Sequence, residues 1–313
     1  MVVAAILAGG YGKRLKPLTE EIPKPLVEIK RGYTILDKQI LDYKHAGIKE
    51  VYLLVSYRWD KINARYGDMW KGMKIHYLVE EEPHGTLYAI KNFLSEINED
   101  ALVSNGDIVA DFNLREMIDS AKRNEDALIT IAVTKMRSPY GIIEFKGGRI
   151  ISFKEKPILD HYINAGFYFI KKEAYKYFEM RYKEKAVEKT VFPLLAKEGS
   201  AFIYCESDIF WQSVDNLKDL ENVKEEFRNR EDYPWGYEKL KNENKVLYIK
   251  KHYPPPSVEL TSNDEIRVKR GQGILISENE KKILDAGEKY RVKKGRYEIH
   301  PIENLLIEIH QSR

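Results

Sequence analysis

Val2-Val3-Ala4-Ala5-Ile6-Leu7-Ala8-Gly9-Gly10-Tyr11-Gly12-Lys13-Arg14-Leu15 follows directly on Met1. Its apolar run is too short to span a bilayer, has no basic segment ahead of it, and meets Gly9-Gly10 at once. It therefore reads as a buried strand and not as a signal peptide. A glycine-rich loop directly after such a strand lets backbone N–H groups come close to a phosphate. Outward from this stretch the chain alternates. Strands are expected at Val2–Leu7, Glu50–Val55, Lys74–Val79, Ala101–Ser104 and Ala127–Val133. Helices are expected at Thr34–Ala46, Trp59–Tyr66, Thr86–Leu94 and Leu114–Arg123. Short apolar strands alternating with helices predict an α/β fold, a doubly wound, mostly parallel sheet covered on both faces.

Gly141–Phe145 and Arg149–Phe153 flank Lys146-Gly147-Gly148, the signature of a β-hairpin, so an antiparallel insertion interrupts that sheet. Ile163–Ile170 reads as a further strand and Glu173–Phe178 as a helix. A charged helix over Leu217–Glu231 is expected to close a first domain at residues 1–232. Pro234-Trp235-Gly236 and Pro254-Pro255-Pro256 then break regular structure. The short segments Lys245–Ile249, Gly273–Ile276, Arg296–Ile299 and Leu305–Ile309 predict a small C-terminal β domain at residues 233–313.

Composition narrows the class. A chain of 313 residues with 43% hydrophobic content can bury a sizeable core and has room for one large and one smaller domain. A formal net charge of +3 offers no long-range field for nucleic acid or membrane. Cys205 is the only cysteine, so an intramolecular disulfide is impossible and a reducing, cytoplasmic setting fits. Its neighbours Phe202–Tyr204 are apolar, and a buried, chemically inert thiol is expected. The histidines, at 45, 76, 84, 161, 252, 300 and 310, are scattered without the spacing of a zinc site.

The glycine loop is not one of the two familiar phosphate cradles. A dinucleotide fingerprint beginning at Gly10 needs glycine where Leu15 stands, and a P-loop needs Ser or Thr after Gly12-Lys13, where Arg14 stands. Arg14 and Lys24, the latter between Pro23 and Pro25, supply cations for a polyanion. Asp107 follows Asn105-Gly106 at the carboxyl edge of an expected parallel strand, where side chains face the ligand crevice. One carboxylate together with substrate phosphates is the usual way of holding Mg²⁺.

Gly9-Gly10-x-Gly12-x-Arg14-Leu15-x-Pro17-Leu18-Thr19 with Pro23-Lys24-Pro25-Leu26 resembles the opening of the sugar-1-phosphate nucleotidyltransferases. The resemblance continues through Glu82-Pro83-x-Gly85-Thr86, Asn105-Gly106-Asp107, Tyr140-Gly141, Glu155-Lys156-Pro157 and Asn164-Ala165-Gly166, over about residues 1–225. It implies the nucleotidyltransferase fold and the joining of an NTP to a sugar 1-phosphate with release of pyrophosphate. It also implies a nucleotide site built from Leu7, Ala8, Gly9, Gly10, Gly12, Lys13, Arg14, Lys24, Glu80, Pro83, Gly85, Thr86 and Asp107. The sugar phosphate would meet Asn105, Gly106, Tyr140, Gly141, Glu155, Lys156, Asn164 and Gly166. Arg14, Lys24, Asp107 and Lys156 would be catalytic, and Mg²⁺ would be the cofactor.

The second metal ligand departs from the family pattern. Many members have Trp-x-Asp-x-Gly-Thr, whereas here Trp211-Gln212-Ser213-Val214-Asp215-Asn216 puts serine where that aspartate would stand. The stretch Trp211-Gln212-x-x-Asp215-x-x-x-Asp219 is similar instead to the glucose-1-phosphate cytidylyltransferase branch. It assigns the ligand to Asp215 and leaves Asp219 to the first turn of a helix. Leu87 and Tyr88 also replace the small residues usual after Gly-Thr.

By its position in the family pattern, the resemblance implies that Glu80 reads the base. A carboxylate only accepts hydrogen bonds, and guanine N1–H and N2–H₂ offer paired donors, so GTP is favoured. Pro234-Trp235-Gly236-Tyr237 and Gly295-x-Tyr297-x-Ile299-x-Pro301 are similar to the cupin-type domain of bifunctional mannose-1-phosphate guanylyltransferase/mannose-6-phosphate isomerases. Residues 254–262, where that domain would carry its metal-binding histidines, contain none. The expected domain is therefore metal-free, with a packing or oligomerisation role.

Mannose 1-phosphate with GTP is the expected pair. D-manno-heptose-1-phosphate guanylyltransferase and glucose-1-phosphate cytidylyltransferase are rivals within the class, and a non-catalytic NDP-sugar-binding regulator is a rival outside it. No nucleic acid or membrane partner is expected, and a homo-oligomer, a dimer, is.

Overall fold

A computed structural model describes the chain except residues 243, 263 and 311–313. The first domain is organised by an eight-stranded sheet. From one edge its order is Ala201–Cys205, Ile129–Arg137, Ile158–Ile170, Asp100–Asn105, Val2–Leu7, Glu50–Val55, Met73–Val79 and Met69–Trp70. Val2–Leu7 runs parallel to both its neighbours, Glu50–Val55 to Met73–Val79, and Ala201–Cys205 to Ile129–Arg137. Ile158–Ile170 is antiparallel to the strands on either side of it, and Met69–Trp70 to Met73–Val79.

Period-two alternation sends successive side chains to opposite faces. Ala4 and Ile6 pack with Leu36, Ile40, Ile62 and Met117 from the helices Ile35–His45, Trp59–Tyr66 and Leu114–Arg123. Val3 and Ala5 pack on the other face with Ile90 and Phe93 of helix Thr86–Ser95 and Val191 and Leu195 of helix Val191–Lys197. This is the doubly wound arrangement the alternation predicts. The helix starts are specified locally. Thr34 and Asp37 form a reciprocal capping box at Ile35–His45, and Asn113 caps Leu114–Arg123.

The expected hairpin is present as Ile142–Lys146 paired with Arg149–Lys154. Its turn, Gly147 at φ 52° and Gly148 at φ 78°, is the two-residue left-handed geometry that only glycine adopts freely. The hairpin stands apart from the main sheet as a two-stranded ribbon.

Two expectations need correction. The charged helix ends at Glu226, short of Glu231, and Arg230–Tyr233 is already a strand of the C-terminal sheet. Arg230 is drawn out of the helix by a buried bidentate pair with Asp111, its Nη1 and Nη2 at 2.9 and 2.5 Å from the two carboxylate oxygens. Phe227 and Tyr237 sandwich its guanidinium, with ring centroids 4.3 and 3.8 Å from Cζ. Cys205 is exposed, not buried. It ends an edge strand in which Tyr204 takes the inward position, so the next side chain points to solvent.

The C-terminal region is antiparallel throughout its described pairings. Six strands, in the order Arg230–Tyr233, Gly236–Lys241, Asn244–Ile249, Leu305–His310, Glu265–Arg270 and Lys289–Arg291, form one sheet. Ser257–Leu260, Gly295–Pro301, Gly273–Ile276 and Lys281–Leu284 form the second. Leu247, Ile266, Leu275, Ile299 and Ile307, from both sheets, share one core. A buried polar seam joins this region to the first domain. Beyond the Arg230–Asp111 pair, Asn113 Nδ2 donates to Lys251 O at 2.9 Å, and Lys250 Nζ donates to Phe112 O at 3.0 Å.

Candidate active site

The carboxyl ends of the parallel strands meet at one place. Leu7 is in register with Asn105 on one side and Leu54 on the other, and Val55 with Val79. The segments that follow, Ala8–Gly12, Ser56, Glu80 and Gly106-Asp107, therefore emerge together, at the position where open α/β sheets bind ligands. A cavity of about 290 Å³ opens there. Its walls include Leu7, Ala8, Gly9, Gly10, Lys24, Glu80, Pro83, Gly85, Thr86, Asn105, Gly106 and Asp107, so most of the nucleotide residues expected from sequence line one pocket.

Two glycines are required by close approach. A Cβ on Gly106 would lie 2.5 Å from the Leu7 carbonyl oxygen, which accepts the Gly106 N–H at 3.0 Å. Gly85 has φ 101°, and a Cβ there would lie 2.6 Å from the Lys185 carbonyl oxygen. Thr86 continues that contact, with Oγ1 accepting from Val187 N at 2.9 Å and donating to Glu188 at 3.1 Å. Sequence reasoning did not single out the strap at 185–188, because nothing in its composition marks it. The glycine loop leads not into an α-helix but into the 3₁₀ turn Lys13–Leu15. Gly12, at φ 62°, gives its carbonyl to Thr19 Oγ1 at 2.8 Å.

The chemical centre is a cation between two carboxylates. Lys24 Nζ lies 2.7 Å from Asp107 Oδ2 and 3.2 Å from Asp215 Oδ1, and Arg14 Nη1 lies 3.6 Å from Asp215 Oδ1. Strand Trp211–Ser213 pairs with Ile108–Ala110, Ser213 facing Ile108, and Val214 N donates to Asp107 O at 2.9 Å. That pairing carries Asp215 to Asp107. Ser213, which stands where the family's aspartate would be, donates to Asp215 Oδ2 at 3.1 Å. Partial burial opposes ionisation of Asp215, yet Lys24, its hydrogen bonds and Arg14 together hold its carboxyl below the ordinary range. Asp219 closes the capping box of helix Leu217–Glu226 and accepts from Asp215 N at 2.9 Å, as expected of a first-turn residue.

Hard carboxylate oxygens converging on one positive group form a donor set suited to Mg²⁺, which takes one or two carboxylates and completes its shell with phosphates and water. Among the described residues no group of three or more His, Cys, Asp or Glu side chains has the arrangement of an all-protein metal cage.

Glu80 sits at the pocket wall with its N–H on Val55 O at 2.9 Å, and its Oε2 accepts from His84 N at 3.1 Å. Gly166, at φ 78°, packs against Asn105, a Cβ there falling 3.1 Å from Asn105 Nδ2. Asn164 Oδ1 accepts from Gly166 N at 2.8 Å, and its Nδ2 donates to the Tyr168 hydroxyl at 3.0 Å.

The remaining sugar-phosphate residues stand apart from the carboxylate centre. Tyr140 and Gly141 enter the exposed hairpin, and Glu155 and Lys156 leave it. Lys156 Nζ is 3.8 Å from Glu155 Oε1, its φ is 45°, and it lines a separate groove with Arg137, Ser138 and Trp211. Lys13 is not among the residues lining the pocket, and its Nζ lies 5.4 Å from the centroid of the Tyr11 ring.

The family model described as nucleotidyl transferase matches residues 3–230, ending where the C-terminal sheet begins. Mannose-1-phosphate guanyltransferase beta-B of Xenopus laevis is 36% identical over 228 residues, 69% of this chain and 62% of that protein. Mannose-1-phosphate guanyltransferase of Emericella nidulans is 34% identical over 230 residues, with the same coverage of 69% and 62%. The matches thus span less than two thirds of these relatives' own length.

Among solved structures, a putative glucose-1-phosphate thymidylyltransferase from Bacillus anthracis shares the fold. Its TM-score is 0.60 at 18% identity, over 73% of this chain and 96% of that one. HddC from Yersinia pseudotuberculosis does so with a TM-score of 0.55 at 25% identity, over 72% of this chain and 100% of that one. With a family match over most of its length and a glycine loop, lysine and aspartate gathered in one pocket, the chain belongs to the nucleotidyl transferase family.

Proposed function

We propose that this protein transfers a nucleoside monophosphate from an NTP to a sugar 1-phosphate, releasing pyrophosphate, with GTP and mannose 1-phosphate as the substrate pair. The observation that carries this reading is the meeting of Asp107 and Asp215 on Lys24 at the edge of the glycine-loop pocket. The guanyltransferases among the relatives, and the acceptor-only chemistry of Glu80, support the choice of base and sugar.

In the reaction, an oxygen of the sugar 1-phosphate attacks the α-phosphorus of the NTP. A new P–O bond forms, the α–β bridging P–O bond breaks, and its electron pair leaves on pyrophosphate. The nucleophile is already an anion, so no general base and no covalent enzyme intermediate are needed. Backbone N–H groups of the Gly9–Gly12 loop face the triphosphate, and Arg14 and Lys24 offset the charge that gathers on it. Asp107 and Asp215 would hold Mg²⁺, which supplies charge neutralisation at the phosphates when bound. Lys156 reads as the cation for the sugar phosphate and must approach from the hairpin side of the pocket.

Pyrophosphate release measured for four NTPs against several sugar 1-phosphates tests the proposal. GTP with mannose 1-phosphate should give the highest kcat/KM. Pyrophosphate release only with another pair would keep the reaction class and overturn the substrates. Binding of NDP-sugars without turnover would overturn the enzyme reading.

A further inference from the structure

Gln39 is one of the chain's four glutamines and belongs to no motif of the glycine loop or the carboxylates. It lies on helix Ile35–His45 with 2% of its surface exposed. Its Nε2 donates to Asn105 O and to Ile108 O, each at 2.8 Å. These two carbonyls bracket the turn that presents Asp107. Both partners can only accept, so the orientation of the amide follows from chemistry: the NH₂ group faces the turn. The amide oxygen is buried with no partner among the described residues. A buried, unsatisfied acceptor is costly, so this side chain is held in place for its two donors.

Besides the strand ladders and the Lys24–Asp107 side-chain contact, the backbone of the turn is tied among the described residues by Gly106 N to Leu7 O and by Val214 N to Asp107 O. The first joins it to the glycine loop's strand and the second to the segment carrying Asp215. Gln39 adds a side-chain tie to the same backbone, at the carbonyls of Asn105 and Ile108. Its own position is stiff, because the capping box at Thr34 anchors the helix start and Lys38 donates at 3.2 Å to Ala110 O, two residues beyond Ile108 on the same strand. The helix thus grips residues 105–110 with two consecutive side chains.

We propose that Gln39 is a positioning residue for Asp107, setting the distance at which the Asp107 and Asp215 carboxylates converge. The inference rests on the reaction proposed above only for its kinetic readout. An error of about 1 Å at a reacting centre can cost about 100-fold in rate, and the convergence of the two carboxylates on one ammonium leaves little slack.

The test uses the full chain with Gln39→Met, which keeps length and volume but removes both donors, and Gln39→Glu, which turns an acceptor toward two carbonyls. Hydrogen exchange is followed on the peptide spanning residues 105–108 and on peptides elsewhere. Pyrophosphate release is titrated with Mg²⁺ at saturating substrates.

Exchange at 105–108 should rise at least tenfold in both variants while the remaining core stays protected. The Mg²⁺ concentration for half-maximal rate should rise several-fold, with the NTP KM within about threefold of wild type. Unchanged local exchange in either folded variant overturns the inference, as does an unchanged Mg²⁺ curve in an active one. Exchange rising uniformly over the whole chain also overturns it, since that is general destabilisation. A wild-type protein releasing no pyrophosphate while the local exchange still rises overturns the proposed reaction but leaves the structural grip of Gln39 standing.

Discussion

Asp107 and Asp215 share one ammonium group, with Lys24 Nζ 2.7 Å from Oδ2 of the first and 3.2 Å from Oδ1 of the second. Two carboxylates this near to one point repel each other, and a cation between them offsets that repulsion. The same arrangement that Lys24 stabilises is the one a divalent cation would use.

Asp107→Asn is therefore expected to fold normally and to lose about 100-fold or more in turnover, because an amide is a poor ligand for a hard cation. Asp215→Ala should lower turnover and shift the Mg²⁺ titration to higher concentration. Ser213→Ala, which removes one hydrogen bond to Asp215, should cost only about 1 kcal/mol of stabilisation. Parallel Mg²⁺ titrations of the three variants check this. A normal Mg²⁺ curve for Asp215→Ala would remove Asp215 from the metal site.

The seam between the domains has its own acid dependence. Burial pushes the Asp111 carboxyl up, but Arg230 and Lys38 outweigh it and bring it down to about 2. A carboxylate depressed in the folded state contributes stability above its ordinary range, and that contribution fades as the pH falls toward the folded value. Wild-type stability to urea should decline between about pH 5 and pH 2, and Asp111→Asn should flatten part of that decline. Arg230→Met should cost about 3–5 kcal/mol at neutral pH, since it leaves Asp111 buried without its main partner. Equal pH dependence in wild type and Asp111→Asn would exclude this group as the source.

Glu80 is expected to discriminate among bases. One of its oxygens is engaged by the His84 N–H, and the side chain lies at the wall of the pocket. Glu80→Gln replaces an acceptor by a donor that faces the guanine N–H groups unfavourably. The kcat/KM for GTP should fall about tenfold or more, one to two hydrogen bonds' worth, with a smaller effect on UTP. Competition between the two NTPs measures the ratio, and an unchanged ratio would remove Glu80 from base reading.

The C-terminal domain is expected to show no mannose-6-phosphate isomerase activity, with or without added Zn²⁺ or Co²⁺. No cluster of three or more metal-ligating side chains exists among the described residues, and residues 254–262 carry no histidine. Metal-dependent interconversion of mannose 6-phosphate and fructose 6-phosphate in a coupled assay would overturn this.

Local sequence patterns determine much of this protein's fold. The apolar run Val2–Leu7 with a glycine loop behind it, the helices Ile35–His45, Trp59–Tyr66, Thr86–Ser95 and Leu114–Arg123, and Gly147-Gly148 at the hairpin tip each rest on patterns of a few residues, and each is found where the sequence places it to within a residue or two. The pocket walls from Leu7 to Asp107 were equally legible, because parallel strands deliver their carboxyl ends to one edge whatever the details.

Only the tertiary structure decided which distant side chains meet. Gln39 looks like any polar residue on a helix until Asn105 and Ile108 lie beneath it. Arg230 reads as the tail of a charged helix until Asp111 withdraws it into a strand, and Cys205 reads as buried until its strand proves to be an edge. Such contacts depend on packing between elements far apart in the chain. Their energies come from burial and paired charge, which no local spacing encodes.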